Sequence, residues 1–215
     1  MSVTALAKVS ESLPRAAFGE LLVANLTPQY QGTFEYTVDN TDLNTNTTVN
    51  GGTVTQSNAK ALIGTSTTTA STALFQSKQH AKYRSGLGAL SRLTAMFTSP
   101  VASTEQYVGI MDEVGSSAAF QNGYAVGYDG TTFGFHRWQN DVLTTVAQAD
   151  WDDPLDGTGA SRMTLDQTKL NVFQIRFQFL GAGAIQLWVE SDTTGLFVIV
   201  HTIDYTNSKH SSLNL

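Results

Sequence analysis

The chain has no cysteine among its 215 residues. That excludes disulfide staples, a thiolate nucleophile and any cysteine-ligated metal. The core must therefore hold by packing alone. Charge is scarce as well, 14% of residues against roughly a quarter in ordinary soluble domains. Threonine, serine, asparagine and glutamine carry the polarity instead, and these suit strands and turns better than helix surfaces. Basic residues number 12 against 18 acidic ones, for a formal net charge of −6. No basic stripe of the kind a nucleic-acid groove needs is present, so no nucleic-acid partner is expected. No apolar run approaches the ~18 residues of a membrane span, so membrane insertion is not expected either. Met1 to Leu6 lacks a basic start followed by an apolar stretch. A secretory signal is not expected there, and an extracellular role would require assembly inside a cell and release by another route.

What the chain does contain is period-two alternation. It is clearest over residues 171–207, which read as three strands in a row. In the first strand Phe173, Ile175, Phe177 and Phe179 face one way, and Gln174, Arg176 and Gln178 the other. In the second, Ile185, Leu187 and Val189 oppose Gln186, Trp188 and Glu190. The third, 196–203, is nearly all apolar, so cover on both faces is expected. Upstream, strands are predicted over 30–38, 53–56, 90–97, 104–111, 120–128 and 131–138. Asn50-Gly51 and Asp129-Gly130 mark tight turns. Residues 39–48 read as an exposed polar loop, and the hydroxyl-rich run 65–73 as an ordered extended segment. Glycines 123, 127 and 134 among large rings predict bulges, strong twist or close packing. The fold class is all-β: an antiparallel β-sandwich, with a jelly roll among the topologies open to it, and an extended N-terminal arm. Residues 1–29 form that arm or a short helix, and residues 30–215 a single sandwich domain.

Several stretches invite a chemical reading. Lys78, Lys82, Arg84 and Arg92 hold a third of the basic residues and flank Gly86-Leu87-Gly88. A phosphate loop would need a third glycine at position 91, which is Ser91, and a βαβ unit around it. Structural roles suit these residues better: Arg84 and Arg92 pairing with carboxylates of this chain or of a neighbour, and glycines allowing close backbone approach.

Asp150, Asp152, Asp153 and Asp156 crowd one loop around Trp151 and Pro154. The spacing opens like a calcium loop, but Pro154 interrupts it and position twelve is Ser161 rather than an acid. A glycosidase pair would need opposed carboxylates, which one loop does not supply. The plainer reading has Trp151 anchoring the loop in the core or an interface, the aspartates capping turns, and Asp156-Gly157 bending the chain. His80, His136, His201 and His210 lie scattered, with no metal-ligand spacing and no nucleophile motif beside them. Each reads as a hydrogen-bonded structural or surface histidine. Asn46-Thr47-Thr48 matches the glycosylation pattern, a match frequent by chance in such a composition.

Three stretches carry a resemblance. One is Tyr83-Arg84-Ser85-Gly86-Leu87-Gly88-Ala89-Leu90-Ser91-Arg92, running on through Phe97. Another is Gly127-Tyr128-Asp129-Gly130-Thr131-Thr132-Phe133-Gly134-Phe135. The third joins Asp150-Trp151, Leu155-Asp156-Gly157-Thr158-Gly159 and residues 166–175. With Val200-His201-Thr202-Ile203 and residues 51–56 added, the likeness covers most of 30–215. These stretches resemble a domain recurring in virion structural proteins of large DNA viruses of algae and related marine viruses.

The resemblance implies a non-enzymatic capsid, vertex or appendage protein located in the virion, with no catalytic residues to carry over. It also leaves residues 1–29 free to dock onto other capsid proteins. No enzymatic activity, metal or cofactor is expected. The expected partners are other virion proteins and further copies of this chain, since closed symmetry repeats one interface. A carbohydrate- or receptor-binding module is the alternative, with a host-surface glycan stacked on rings such as Trp138, Trp151, Trp188, Tyr124 and Tyr128. The residues expected to mediate interface or surface binding are Arg84, Arg92, Trp151, Gln174, Arg176, Gln178 and Trp188.

Overall fold

The computed structural model describes residues 27–38, 43–81, 88–112, 120–178 and 183–205. The expected N-terminal arm lies almost wholly outside them. The chain divides into two compact units, residues 1–81 and 82–215, at a boundary the sequence reading did not draw. Among the described residues no helix is long and apolar enough to cross a membrane.

The first unit is built from four short strands: β1 (Asn44–Val49), β2 (Thr53–Ser57), β3 (Lys60–Gly64) and β4 (Thr72–Ser77). β1 pairs with β4, and β2 pairs with β3, both antiparallel. Asn50 and Gly51 both take positive φ, and Gly52 N–H donates back to the Val49 carbonyl at 3.0 Å. This is the tight turn that Asn-Gly favours. Asn58 and Ala59 make a second turn of this kind, at φ 51° and 57°. Ala59 gives no sequence warning of it, because a side chain in that region is strained.

Three expectations are corrected in this unit. Residues 30–38 contain no strand. Their carbonyls at Phe34 and Glu35 are taken by the Gln56 side chain rather than by a strand partner. Residues 39–48 are not all loop, because β1 begins at Asn44 and its threonines suit a strand, Thr47 pairing across from Leu74 and Thr48 from Ala73. Residues 65–71 are turns rather than extended chain. Their hydroxyls bond the local backbone, with Thr68 N–H donating to Ser66 Oγ and Ser66 N–H to Ser71 Oγ.

The second unit holds two four-stranded antiparallel sheets. One contains β6 (Glu105–Met111), β7 (Gly123–Asp129), β8 (Thr132–Gln139) and β9 (Val142–Ala147), in that order. The other runs β5 (Gly88–Ala95), β10 (Asn171–Gln178), β11 (Ile185–Glu190), β12 (Phe197–Ile203). The first sheet is a meander; in the second, β10 to β12 form a meander and β5 joins β10 by a crossover. The expected meander over 171–207 is present. β9 went unanticipated; its turn, Asn140-Asp141, takes positive φ at both residues.

Alternation decides which residues meet. Tyr124, Val126 and Phe135 of one sheet join Phe173, Ile175 and Leu187 of the other in one buried cluster. This gives the two sheets a sandwich-like arrangement. Each large apolar side chain so buried contributes about 1.5–3 kcal/mol before entropy is counted. The expected cover on both faces of 196–203 is only partial: Val200 is buried, while Ile199 is exposed.

The glycines among the rings serve close approach. A Cβ on Gly127 would lie 1.8 Å from the Gln106 carbonyl oxygen, and its φ is +156°. The register runs unbroken past it. The irregularity lies instead between Leu187 and Trp188, where β11 meets β12.

Truncating Phe135 to alanine is expected to cost about 3–5 kcal/mol, because it is fully buried. Tyr36→Ala, at a residue 90% exposed, is expected to stay within about 0.5 kcal/mol of wild type. Urea unfolding of the two variants checks the pair; equal losses would contradict the placement of the core.

Candidate functional site

The even-numbered row of β10 and β11 lies on the sheet face turned away from the core. Gln174 pairs across to Arg92 of β5 on one side and Trp188 of β11 on the other. Arg176 pairs with Leu90 and Gln186, and Glu190 with Phe197 of β12. Four of the expected site residues, Arg92, Gln174, Arg176 and Trp188, are thus brought together on one surface. Arg84 and the side chain of Gln178 fall outside the described residues.

This face is organised by arginine–ring contacts. The Arg176 guanidinium carbon sits 4.1 Å from the centroid of a Trp188 ring, and that of Arg92 sits 4.6 Å from the Phe197 ring centroid. Such contacts contribute about 0.5–1 kcal/mol at exposed sites. Arg92 and Phe197 belong to opposite edge strands of the sheet. The Arg92 side chain therefore lies across the face like a strap, its stem covering apolar surface while its head stays wet. On the way its Nη2 donates to Gln174 Oε1 at 2.9 Å. Gln174 ends fully buried, although it stands on the outer face.

The charge balance of the face is one-sided. Among the described residues neither arginine has a carboxylate partner; the ion pair found is Lys169–Asp166, and the other carboxylate contact is of Asp152 with the His201 ring, 3.5 Å away. Burial, and then the like charge of Arg92, hold the Arg176 guanidinium below its ordinary pKa. Two buried donors of this face, Gln174 Nε2 and Arg176 Nε, have no acceptor among the described residues.

Trp151 occupies a different place. It is 4% exposed, its indole N–H donates to the Val146 carbonyl at 3.1 Å, and it belongs to the core cluster. It offers no ring to a partner. Its loop is the acidic one, and the aspartates there do work as turn caps. Asp153 accepts from the backbone N–H of Leu155 at 3.2 Å and of Ser161 at 2.7 Å. Thr158 donates to Asp156 from both hydroxyl and backbone, which holds that carboxyl below its ordinary pKa.

The loop also braces the two sheets. Asp152 accepts from Thr202 N–H at 2.9 Å, and Asp153 N–H donates to the Val200 carbonyl at 3.0 Å. Trp151 thus ties the loop to β9 while its neighbours tie it to β12, and these are terminal strands of opposite sheets. A shallow depression of about 510 Å³ lies between this loop and β12, lined by Asp152, Asp153, Ser161 and Ile199 among others. Its carboxylates are already engaged. No three His, Cys, Asp or Glu side chains among the described residues are grouped to hold a metal ion.

His136 forms part of a second aromatic layer, on the outer face of the β6–β9 sheet. It is fully buried, 4.8 Å from the Tyr107 ring, with Trp138 beside it. The Gly127 carbonyl, 3.0 Å away, can only accept, so Nε2 carries the proton. Nδ1 then accepts from the Thr145 hydroxyl at 3.0 Å. Both nitrogens are spent inside the chain.

Burial lowers the His136 pKa, against opposing pulls from the Gly127 carbonyl and Asp129. The unfolded chain takes up this proton near pH 6.5 and the folded chain only at lower pH. Its contribution to stability is therefore full above about pH 6.5 and lost as pH falls through the folded value. Melting curves from pH 7.5 to 5.5 are expected to fall less steeply for His136→Gln than for wild type. Equal slopes would refute a neutral buried imidazole. Asp153→Ala is expected to cost about 2–3 kcal/mol in urea unfolding, because two backbone donors lose a charged acceptor.

No protein-family model matches the chain, and neither a curated protein nor a solved structure matches it. What the chain does is argued from the faces just described.

Proposed function

We infer that the protein is a structural component of a virus particle (capsid, vertex or surface appendage) that acts through protein–protein assembly. The observation that carries this reading is the outer face of β5, β10, β11 and β12. Trp188, Phe197 and two arginines meet there, beside exposed Leu90 and Ile199. Aromatic residues and arginine are the types enriched where proteins dock, and lysine is the type depleted. The resemblance of residues 83–97, 127–135, 150–159 and 166–175 to virion structural proteins supports the same reading. So does the low charge of the whole chain, since hydroxyl and amide rows meet a neighbour without burying ions.

A carbohydrate-binding module has less support. Tyr124, Tyr128, Trp138 and Trp151 are all buried within this chain. Trp188 carries the Arg176 guanidinium on its ring. None of the five presents a free platform for a sugar.

Quantitative mass spectrometry of purified particles tests the assignment. The expected result is this chain present at a fixed copy number that survives salt washing. Its absence from particles made in cells that express it would sink the reading.

A further inference from the structure

A strand at the rim of a sheet leaves every second residue's backbone N–H and C=O without a partner, a row that pairs readily with another chain. The second unit has four such rims. β12 is bulged and takes Asp152 and Asp153 of the acidic loop on its backbone. β5 carries Arg92 and β6 carries Glu105. β9, Val142-Leu143-Thr144-Thr145-Val146-Ala147, has no charge, no proline, no glycine and an unbroken register. Among these described rims it is the one that lacks a device against pairing.

The turn fixes which groups of β9 point outward. Asn140-Asp141 is a two-residue loop closed by Gln139 opposite Val142, and in such hairpins the closing pair exchanges both hydrogen bonds. Val142, Thr144 and Val146 therefore turn their backbone groups toward β8. The Val146 carbonyl does lie on the β8 side, where a Cβ on Gly134 would come within 2.5 Å of its oxygen. The backbone groups of Leu143 and Thr145 face away from the sheet, and no donor or acceptor among the described residues reaches them. Val142 and Thr144 are exposed as well.

A partner must offer a strand with two free residues at the same spacing, in antiparallel order, and no charge to bury. β9 of a second copy offers that. With Thr144 of each copy on a two-fold axis, Leu143 of one falls opposite Thr145 of the other, and both residues exchange their backbone hydrogen bonds across the axis. Val142, 63% exposed, falls opposite Val146, a β-branched pair. Asp141 falls opposite Ala147, clear of its own counterpart. The two Thr144 hydroxyls meet at the axis; each accepts from Arg137 Nη2 at 3.1 Å and keeps its own proton to donate.

We propose that β9 pairs antiparallel with β9 of a second copy, about a two-fold axis at Thr144, joining the β6–β9 sheets of the two copies into one continuous sheet. The inference goes beyond the assembly reading and concerns a different surface from the arginine–ring face. Each copy contributes a single strand, well below the ~20–30 residues a side of a standard interface, so the dimer is weak and concentration-dependent.

The chain has no cysteine, so one substitution supplies its only thiol. Thr144→Cys sets that thiol opposite its own counterpart, at the Cα separation of about 4.5 Å that a wide antiparallel pair has and a disulfide accepts. Val142→Cys sets the two thiols roughly 13 Å apart along the strands, beyond disulfide reach. Under mild oxidation the first variant is expected to run as a covalent dimer on a non-reducing gel and the second as a monomer. Sedimentation velocity of the full wild-type chain from about 5 to 500 µM, the range of a weak contact, is expected to show monomer passing to dimer. Thr144→Lys is expected to weaken that dimer about 30-fold or more, since it sets two ammonium groups opposite one another; a melting curve like that of wild type shows that it folds.

A wild type monomeric at the highest concentration, its edge bare or covered by its own residues outside those described, overturns the proposal. So does a dimer unchanged by Thr144→Lys, or Val142→Cys cross-linking as readily as Thr144→Cys. If Thr144→Lys fails to fold, the two cysteine variants decide. If the chain is monomeric yet present in purified particles, this contact fails and the assembly reading stands. If it dimerises as described yet is absent from particles, the contact stands and the assembly reading fails.

Discussion

Everything in the second unit depends on burying one apolar face from each of two four-stranded sheets. Neither sheet can leave Phe135 and Tyr124, or Phe173, Ile175 and Leu187, against water without losing the burial that offsets chain entropy. With no disulfide available, this contact carries most of the unit's stability. It also dictates the rest of the layout. Period-two alternation means that every residue sent inward sends its neighbours outward. The identity of the outer faces is therefore settled by the same register that settles the core.

The two outer faces solve that consequence differently. On the β6–β9 sheet, glycine takes the place of side chains, and His136, Trp138 and Tyr107 pack over the gaps. The polar atoms of the imidazole are satisfied locally, while the Tyr107 hydroxyl beside it is buried without a partner among the described residues. On the other sheet, arginines lie over rings and have no carboxylate partner among the described residues. The first layer is shut off from water by its rings, while the second carries guanidinium groups that a neighbour can meet. This contrast is why the candidate site falls on one sheet and not the other.

The acidic loop shows how carboxylates can serve as caps for backbone donors. Asp153 spends both oxygens on backbone donors of its own loop, and Asp152 reaches an edge strand. Each aspartate answers a backbone N–H that the irregular path leaves without a strand partner. Capping Thr202 and engaging Val200 also shields part of an edge strand from pairing with other chains.

The sequence alone determined the all-β class, the inward rows of β10 and β11, the Asn50-Gly51 and Asp129-Gly130 turns, and the outward row from Gln174 to Glu190. These are local properties: alternation and turn chemistry act over two to eight residues, and each leaves its mark in consecutive positions. Only the tertiary structure decided that β5 joins β10 across some eighty residues, which brings Arg92 over Gln174. It likewise decided that Trp151 is core, and that residues 30–38, though alternating, find no partner strand. Pairing between distant segments depends on which surfaces complete one another's hydrogen bonds and apolar cover, and no short window of sequence contains both halves of that match.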